Sequence, residues 1–267
     1  MRSKSLLAVL MLLSCAAMPA SDKTAEKALK DSPRHGEWVD IPIPGSETKL
    51  HTFVVYPERK EKAPVVLVIH EIFGLTDWVR AVADQLAAEG FIAVAPDLLS
   101  GKGPKGGNTD SFSGDAVRDA IMKLDKDEVT QRLNAALDYA LALPSANGKS
   151  ASIGFCWGGM TSFMYATRQP KLNAAVVYYG TPPEKEAMEK INCPVMGHYG
   201  GKDARVTSTV EGTKKTMDEL AKSYTSHVYE GAGHGFLRQQ NQPDSPNHKA
   251  AEQAWDETVS FLKKNLE

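Results

Sequence analysis

The chain has 267 residues, 31 Lys and Arg against 33 Asp and Glu, and a formal net charge of −2. That balance argues against a nucleic-acid partner, which needs a clustered excess of cations on one face. Once an N-terminal targeting stretch is set aside, roughly 230 residues remain, enough for one α/β domain with a sizeable core.

The first twenty residues read as a signal peptide. Arg2 and Lys4 form a positive start, and the apolar run from Leu6 to Leu13 is too short to span a bilayer as a mature helix. Leu12-Leu13-Ser14-Cys15 resembles a lipobox, with Cys15 as the lipidated residue, while Ala16 to Ala20 offers an ordinary cleavage site, and both readings stay open. Either one predicts export to the bacterial periplasm or cell envelope. Residues 21–33 are polar and charged, which predicts a loose tether before a domain at 34–267.

Within that domain, Trp38 to Ile43 and Leu50 to Tyr56 are short β-like runs around the turn signal Pro44-Gly45-Ser46, which predicts a hairpin. Pro64 to Ile69 is a continuous apolar, largely β-branched run, as in a strand covered on both faces of a parallel sheet. Asp77 to Ala88 carries one apolar helical face and stops at Gly90, and Phe91 to Ala95 is the next buried strand. Beyond the glycine-rich stretch from Ser100 to Gly114, helical periodicity runs from about Asp115 to Leu143. Further strands are predicted at Lys149 to Ile153, Asn173 to Tyr179, Cys193 to Gly197 and His227 to Glu230, before an amphipathic helix from Ala250 to Leu266. This alternation predicts an α/β fold, a mostly parallel central sheet with helices on both faces.

Three segments carry chemistry. Gly154-Phe155-Cys156-Trp157-Gly158-Gly159 lies between a strand and a helix and reads as a nucleophile elbow, with small residues two positions either side of Cys156. A thiol there sits at a helix N-terminus, where the macrodipole favours thiolate. Gly200-Gly201-Lys202-Asp203 follows a strand, and Gly231-Ala232-Gly233-His234-Gly235-Phe236 places a histidine on a glycine-flanked loop. Nucleophile, acid, histidine is the chain order of the α/β-hydrolase triad. Cys193, the other cysteine outside the signal region, is predicted at the N-terminal end of one parallel strand, with Cys156 just past the C-terminal end of another. The two levels differ by roughly 17 Å, too far for a disulfide's Cα pair.

With those segments placed, the chain resembles the dienelactone hydrolase family of the α/β-hydrolase fold. The residues that carry the likeness are Ile69-His70-Glu71-Ile72-Phe73-Gly74-Leu75, Ala95-Pro96-Asp97-Leu98, the elbow, Gly200 to Asp203, and Gly231 to Phe236. The resemblance implies Cys156 as nucleophile, His234 as base, Asp203 as the group orienting it, and Glu71 hydrogen-bonded to the resting thiol until substrate displaces it. The implied activity is hydrolysis of small esters or lactones through an acyl thioester, by a monomer using neither metal nor organic cofactor. The oxyanion donors expected are the N–H groups of Trp157 and Ile72. The resemblance also implies that Arg238 binds a substrate carboxylate. The family's second arginine is missing after Leu98, and Lys102 or Lys105 is the substitute on offer. A general carboxylesterase, a thioesterase and a non-catalytic protein on a hydrolase scaffold remain alternatives. His70 and Asp97 are expected to support loops, His198 to be a satisfied core histidine, and His35, His51, His227 and His248 to be surface groups.

Overall fold

A computed structural model describes residues 18–267. The expected signal peptide therefore falls, but for its last three residues, outside the described residues, as does the lipobox Cys15.

The hairpin strands β1 (Gly36–Pro42) and β2 (Lys49–Val55) pair antiparallel, and β2 lies antiparallel to β4 (Ile92–Pro96) at the edge of a parallel sheet. The parallel strands are β3 (Ala63–Ile69), β4, β5 (Ala146–Phe155), β6 (Ala174–Tyr178), β7 (Val195–Gly200) and β8 (Tyr224–Tyr229). Across the sheet the order is β1-β2-β4-β3-β5-β6-β7-β8. The chain thus winds one way from β3 to β4 and the other way from β5 onward. The crevice at that reversal, beyond the strands' carboxyl ends, is where open α/β sheets hold ligands.

Period-two alternation divides the core between two faces. Val66 and Val68 of β3 join Ala174, Val176 and Tyr178 of β6 beneath α2 (Asp77–Ala88) and α9 (Pro246–Leu266). Val65, Leu67, Ile69, Ala175 and Val177 face α4 (Lys126–Leu141), α5 (Trp157–Ala166) and α8 (Val210–Glu219). Both faces are apolar because both are covered, so β3 is buried along its whole length.

Two expectations need correction. The continuous helix from Asp115 to Leu143 is two, α3 (Ala116–Met122) and α4, because the Asp125 carboxylate accepts the N–H groups of Asp127 and Glu128 and starts a new helix. The stretch expected as a tether carries helix α1 (Ala25–Asp31), whose Ala25 is fully buried and whose Leu29 packs on the same core. That i, i+4 pair is the smallest apolar face a helix can present, and polar composition hides it. Its downstream end is clamped by Asp84 of α2, which accepts from Ser32 Oγ at 2.5 Å and from Arg34 Nε at 3.0 Å.

Candidate active site

Cys156 sits between β5 and α5 at φ 57°, ψ −114°, a conformation that costs a non-glycine residue on the order of 1–3 kcal/mol. Close packing holds it there. A Cβ on Gly154 would stand 1.9 Å from the Gly158 carbonyl oxygen, and one on Gly158 would stand 2.3 Å from the carbonyl oxygens of both Ile69 and His70. The glycines serve close backbone approach here, neither having a positive φ. The Cys156 N–H donates to Tyr178 O at 3.0 Å, fixing the elbow to the end of β6.

Asp203 follows β7, where its N–H donates to Gly200 O at 2.9 Å, and precedes α7 (Ala204–Thr207). His234 follows β8 on a loop bounded by Gly231 and Gly235, with φ of 75° and 73°. The two loops are laced together by Lys202 N–H donating to Ala232 O and Gly201 N–H to Tyr229 O, both at 2.8 Å. His234 Nδ1 then lies 2.5 Å from Asp203 Oδ2, which leaves Nε2 for a different partner. The structure therefore joins the acid and the histidine, with Asp203 buried and His234 partly open to solvent. Tyr179 follows β6, and its ring centroid lies 5.0 Å from that of His234. No hydrogen bond links Cys156 Sγ to the His234 ring among the described residues.

Glu71 begins the loop after β3. Gly74 N–H donates to Glu71 O at 3.1 Å, closing a turn over Ile72, whose N–H has no intramolecular acceptor among the described residues. The Glu71 carboxylate is not bonded to the thiol, contrary to expectation. Its Oε1 lies 3.1 Å from Arg238 Nε, without the alignment of a hydrogen bond. Arg238 is likewise not the free guanidinium expected for a substrate. Its Nη1 donates to Asp22 Oδ2 at 3.1 Å, and the Phe73 ring stacks 4.9 Å away.

Burial pushes the Glu71 carboxyl up to about 7, against the pull of Arg238 and with help from Asp22. Burial also raises the Cys156 thiol. The Trp157 N–H opposes that rise, Glu71 adds to it, and smaller effects come from Arg205, which lowers it, and Asp203, which raises it. The helix terminus does stabilise sulfur charge through Trp157, but desolvation outweighs it, so the thiol is raised where the macrodipole alone would lower it. Sequence reasoning missed Arg205 and Asp22. The only signal was positional for Arg205, two residues after Asp203, and there was none for Asp22.

The supporting residues behave as expected. His70 is buried, its Nδ1–H donating to Glu71 O at 2.9 Å and its Nε2 accepting from Leu98 N–H at 3.2 Å. Asp97 takes the N–H groups of Leu99 and Thr109, both at 2.9 Å, and so ties down its loop. His198 is held between Tyr229 OH at 2.8 Å and Thr258 Oγ1 at 3.0 Å, and burial keeps it neutral. Lys102 pairs with Glu128 at 2.8 Å, and Lys105 is exposed on a short helical turn, so neither stands in for the absent arginine. Cys156 and Cys193 are both free thiols, at opposite ends of their strands. Among the described residues no three His, Cys, Asp or Glu side chains gather as a metal site would require.

A doubly covered parallel sheet, a strained cysteine at a glycine-packed elbow and an Asp–His pair beyond the ends of β7 and β8 define an α/β-hydrolase. Residues 50–266 match the model of the dienelactone hydrolase family, and the chain belongs to that family of hydrolases acting on carboxylic ester bonds. It is 32% identical over 196 residues to carboxymethylenebutenolidase 1 of Cupriavidus pinatubonensis, covering 72% of this chain and 81% of that one. The fold is shared with a dienelactone hydrolase-like promiscuous phosphotriesterase, P91, from metagenomic libraries, with a TM-score of 0.73, 23% identity, and 88% and 99% of the two chains covered. It is shared too with dienelactone hydrolase from Anabaena variabilis, with a TM-score of 0.66, 19% identity, and the same coverage of 88% and 99%.

Proposed function

We propose that the chain is an exported enzyme that hydrolyses small esters or lactones through Cys156, His234 and Asp203. The observation that carries this reading is the Asp203–His234 pair beside a cysteine held in a conformation few residues tolerate. Catalysis begins from the neutral thiol. His234 Nε2 removes the sulfur proton as Sγ attacks the carbonyl carbon, and the Nδ1–H, donated to Asp203, steadies the imidazolium that forms. The carbonyl oxygen takes up the electron pair and accepts hydrogen bonds from the N–H groups of Trp157 and Ile72. As the tetrahedral adduct collapses, the C–O bond to the leaving group breaks and His234 returns the proton to that oxygen. Water, deprotonated by the same imidazole, then cleaves the thioester and regenerates the thiol.

Glu71 and the Tyr179 ring are buried, and in partly desolvated surroundings two backbone donors stabilise an oxyanion more strongly than they would in water. The test is p-nitrophenyl acetate hydrolysis by the protein and by Cys156→Ala. The variant is expected to lose at least roughly a hundredfold in kcat/KM, since removing the nucleophile of a triad leaves only what binding and the oxyanion donors provide. An acetyl adduct on Cys156 should be trapped by acid quench and seen by mass spectrometry. Equal rates for the two proteins would leave a hydrolase scaffold without thiol chemistry. Export is tested separately, by the N-terminus of the protein recovered from an envelope fraction.

A further inference from the structure

The segment that enters the domain at its N-terminus ends up against the candidate active site. Met18 and Ala20 pack on the core, Gln240 Nε2 donates to Pro19 O at 2.7 Å, and the Asp22 N–H donates to Arg238 O at 3.1 Å. The Asp22 side chain is held at both oxygens, Oδ2 by Arg238 Nη1 at 3.1 Å and Oδ1 by Asn241 Nδ2 at 3.0 Å. Arg238 in turn lies 3.1 Å from Glu71, whose charge acts on Cys156. One guanidinium therefore faces two carboxylates of its own chain, and its flat face is covered by Phe73.

We propose that Asp22 sets the charge selectivity of the acyl site, turning a guanidinium that Glu71 alone would balance into a net negative boundary that favours uncharged acyl groups. This rests on the reading of Cys156 as an acyl acceptor. A third carboxylate entering beside Arg238 finds one positive charge already facing two negative ones, and like charges in a partly desolvated site repel. Asp203 adds a further negative charge nearby. Arg205 is the cation acting on Cys156, but it is common to every variant below and cancels in ratios. Asp22 lies 216 positions from Arg238, so no local motif announces the contact. A chain without a carboxylate at that point would present the arginine to substrate.

The experiment compares p-nitrophenyl hemisuccinate with p-nitrophenyl butyrate, acyl groups of matched length that differ in charge, at pH 8. Asp22→Asn keeps the side chain's size, and Asp22→Ser guards against a fold defect particular to the amide. Each is expected to raise the ratio of kcat/KM values, anionic over neutral, about tenfold over wild type, equal to about 1.4 kcal/mol. Asp22→Glu is expected to restore the low ratio. A purely structural role for Asp22 would alter both esters alike and leave the ratio where it was, which overturns the proposal. If wild type hydrolyses neither ester, the acyl-transfer reading falls and binding decides the inference. Monomethyl succinate should then bind Cys156→Ala/Asp22→Asn about tenfold more tightly than Cys156→Ala in calorimetric titrations. Equal affinities, or undetectable binding by both, overturn it.

Discussion

Replacing Glu71 with Gln should flatten the pH dependence of stability. Glu71 is held in the folded protein with its carboxyl pushed up to about 7, mainly by burial, from an ordinary value of 4.5. Each pKa step of one corresponds to about 1.4 kcal/mol, so the displacement is worth about 3 kcal/mol. Only 4% of the side chain is exposed, so solvent screening removes little of that. Between the two values the folded protein keeps a proton that the unfolded chain has released. The contribution is therefore fully present below about 4.5 and is lost as the pH rises through about 7. Urea unfolding followed by tryptophan fluorescence at pH 5 and pH 8.5 should show wild type losing about 2–3 kcal/mol more than Glu71→Gln over that interval. Other titrating groups contribute equally to both proteins. Parallel pH curves would refute the claim that Glu71 is a desolvated carboxylate.

Gly158→Ala should abolish the elbow rather than weaken it, since the new Cβ would stand 2.3 Å from two backbone carbonyl oxygens. Loss of both esterase activity and a cooperative melting transition is the expected outcome, and a normal melt with full activity would contradict the packing argument. Alkylation of Cys156 by iodoacetamide should be slower at pH 7 than that of a free cysteine and should keep rising past pH 9, because the thiol is raised above its ordinary 9.0. Arg205→Gln, which removes a cation that lowers it, should move that rise further alkaline. Asp203→Asn should leave the fold intact and lower kcat by roughly three to four orders of magnitude, through loss of the tautomer that points Nε2 at sulfur. A loss below about tenfold would remove Asp203 from the triad.

What the sequence made legible were features encoded by neighbours along the chain. The buried strands announced themselves through unbroken apolar runs, and the elbow through glycines at fixed offsets from Cys156. Asp203 and His234 were found because each follows a strand on a glycine-rich loop, and parallel strands deliver such loops to one edge. What was not legible depends on segments that meet only after folding. The polar composition of residues 21–33 concealed the single apolar pair that docks α1. The charge on Asp22 was indistinguishable from that of any solvated aspartate. Glu71 and Arg238 were both singled out by motif, yet their contact was not legible, since each motif describes one segment and the ion pair joins two. The lowered thiol pKa expected of a helix terminus failed for a related reason: a helix terminus can be read from sequence, whereas the desolvation opposing it is a property of the assembled core.

That last point bears on how the thiol would react. Enzymes that store a cysteine as thiolate beside an imidazolium rely on a depressed thiol pKa, and surroundings containing Glu71 and Asp203 with a buried sulfur work the other way. On the proposed mechanism the proton leaves sulfur as the bond to carbon forms, so proton transfer belongs to the acylation step itself. In deuterium oxide kcat/KM for p-nitrophenyl acetate should therefore fall, and a proton inventory should show the change arising from one site in flight. A stored thiolate has already lost that proton and would give no such decrease. An isotope effect at or below unity would mean that the charge on sulfur is settled before substrate reacts, and that burial has been given too much weight against the Trp157 N–H and Arg205.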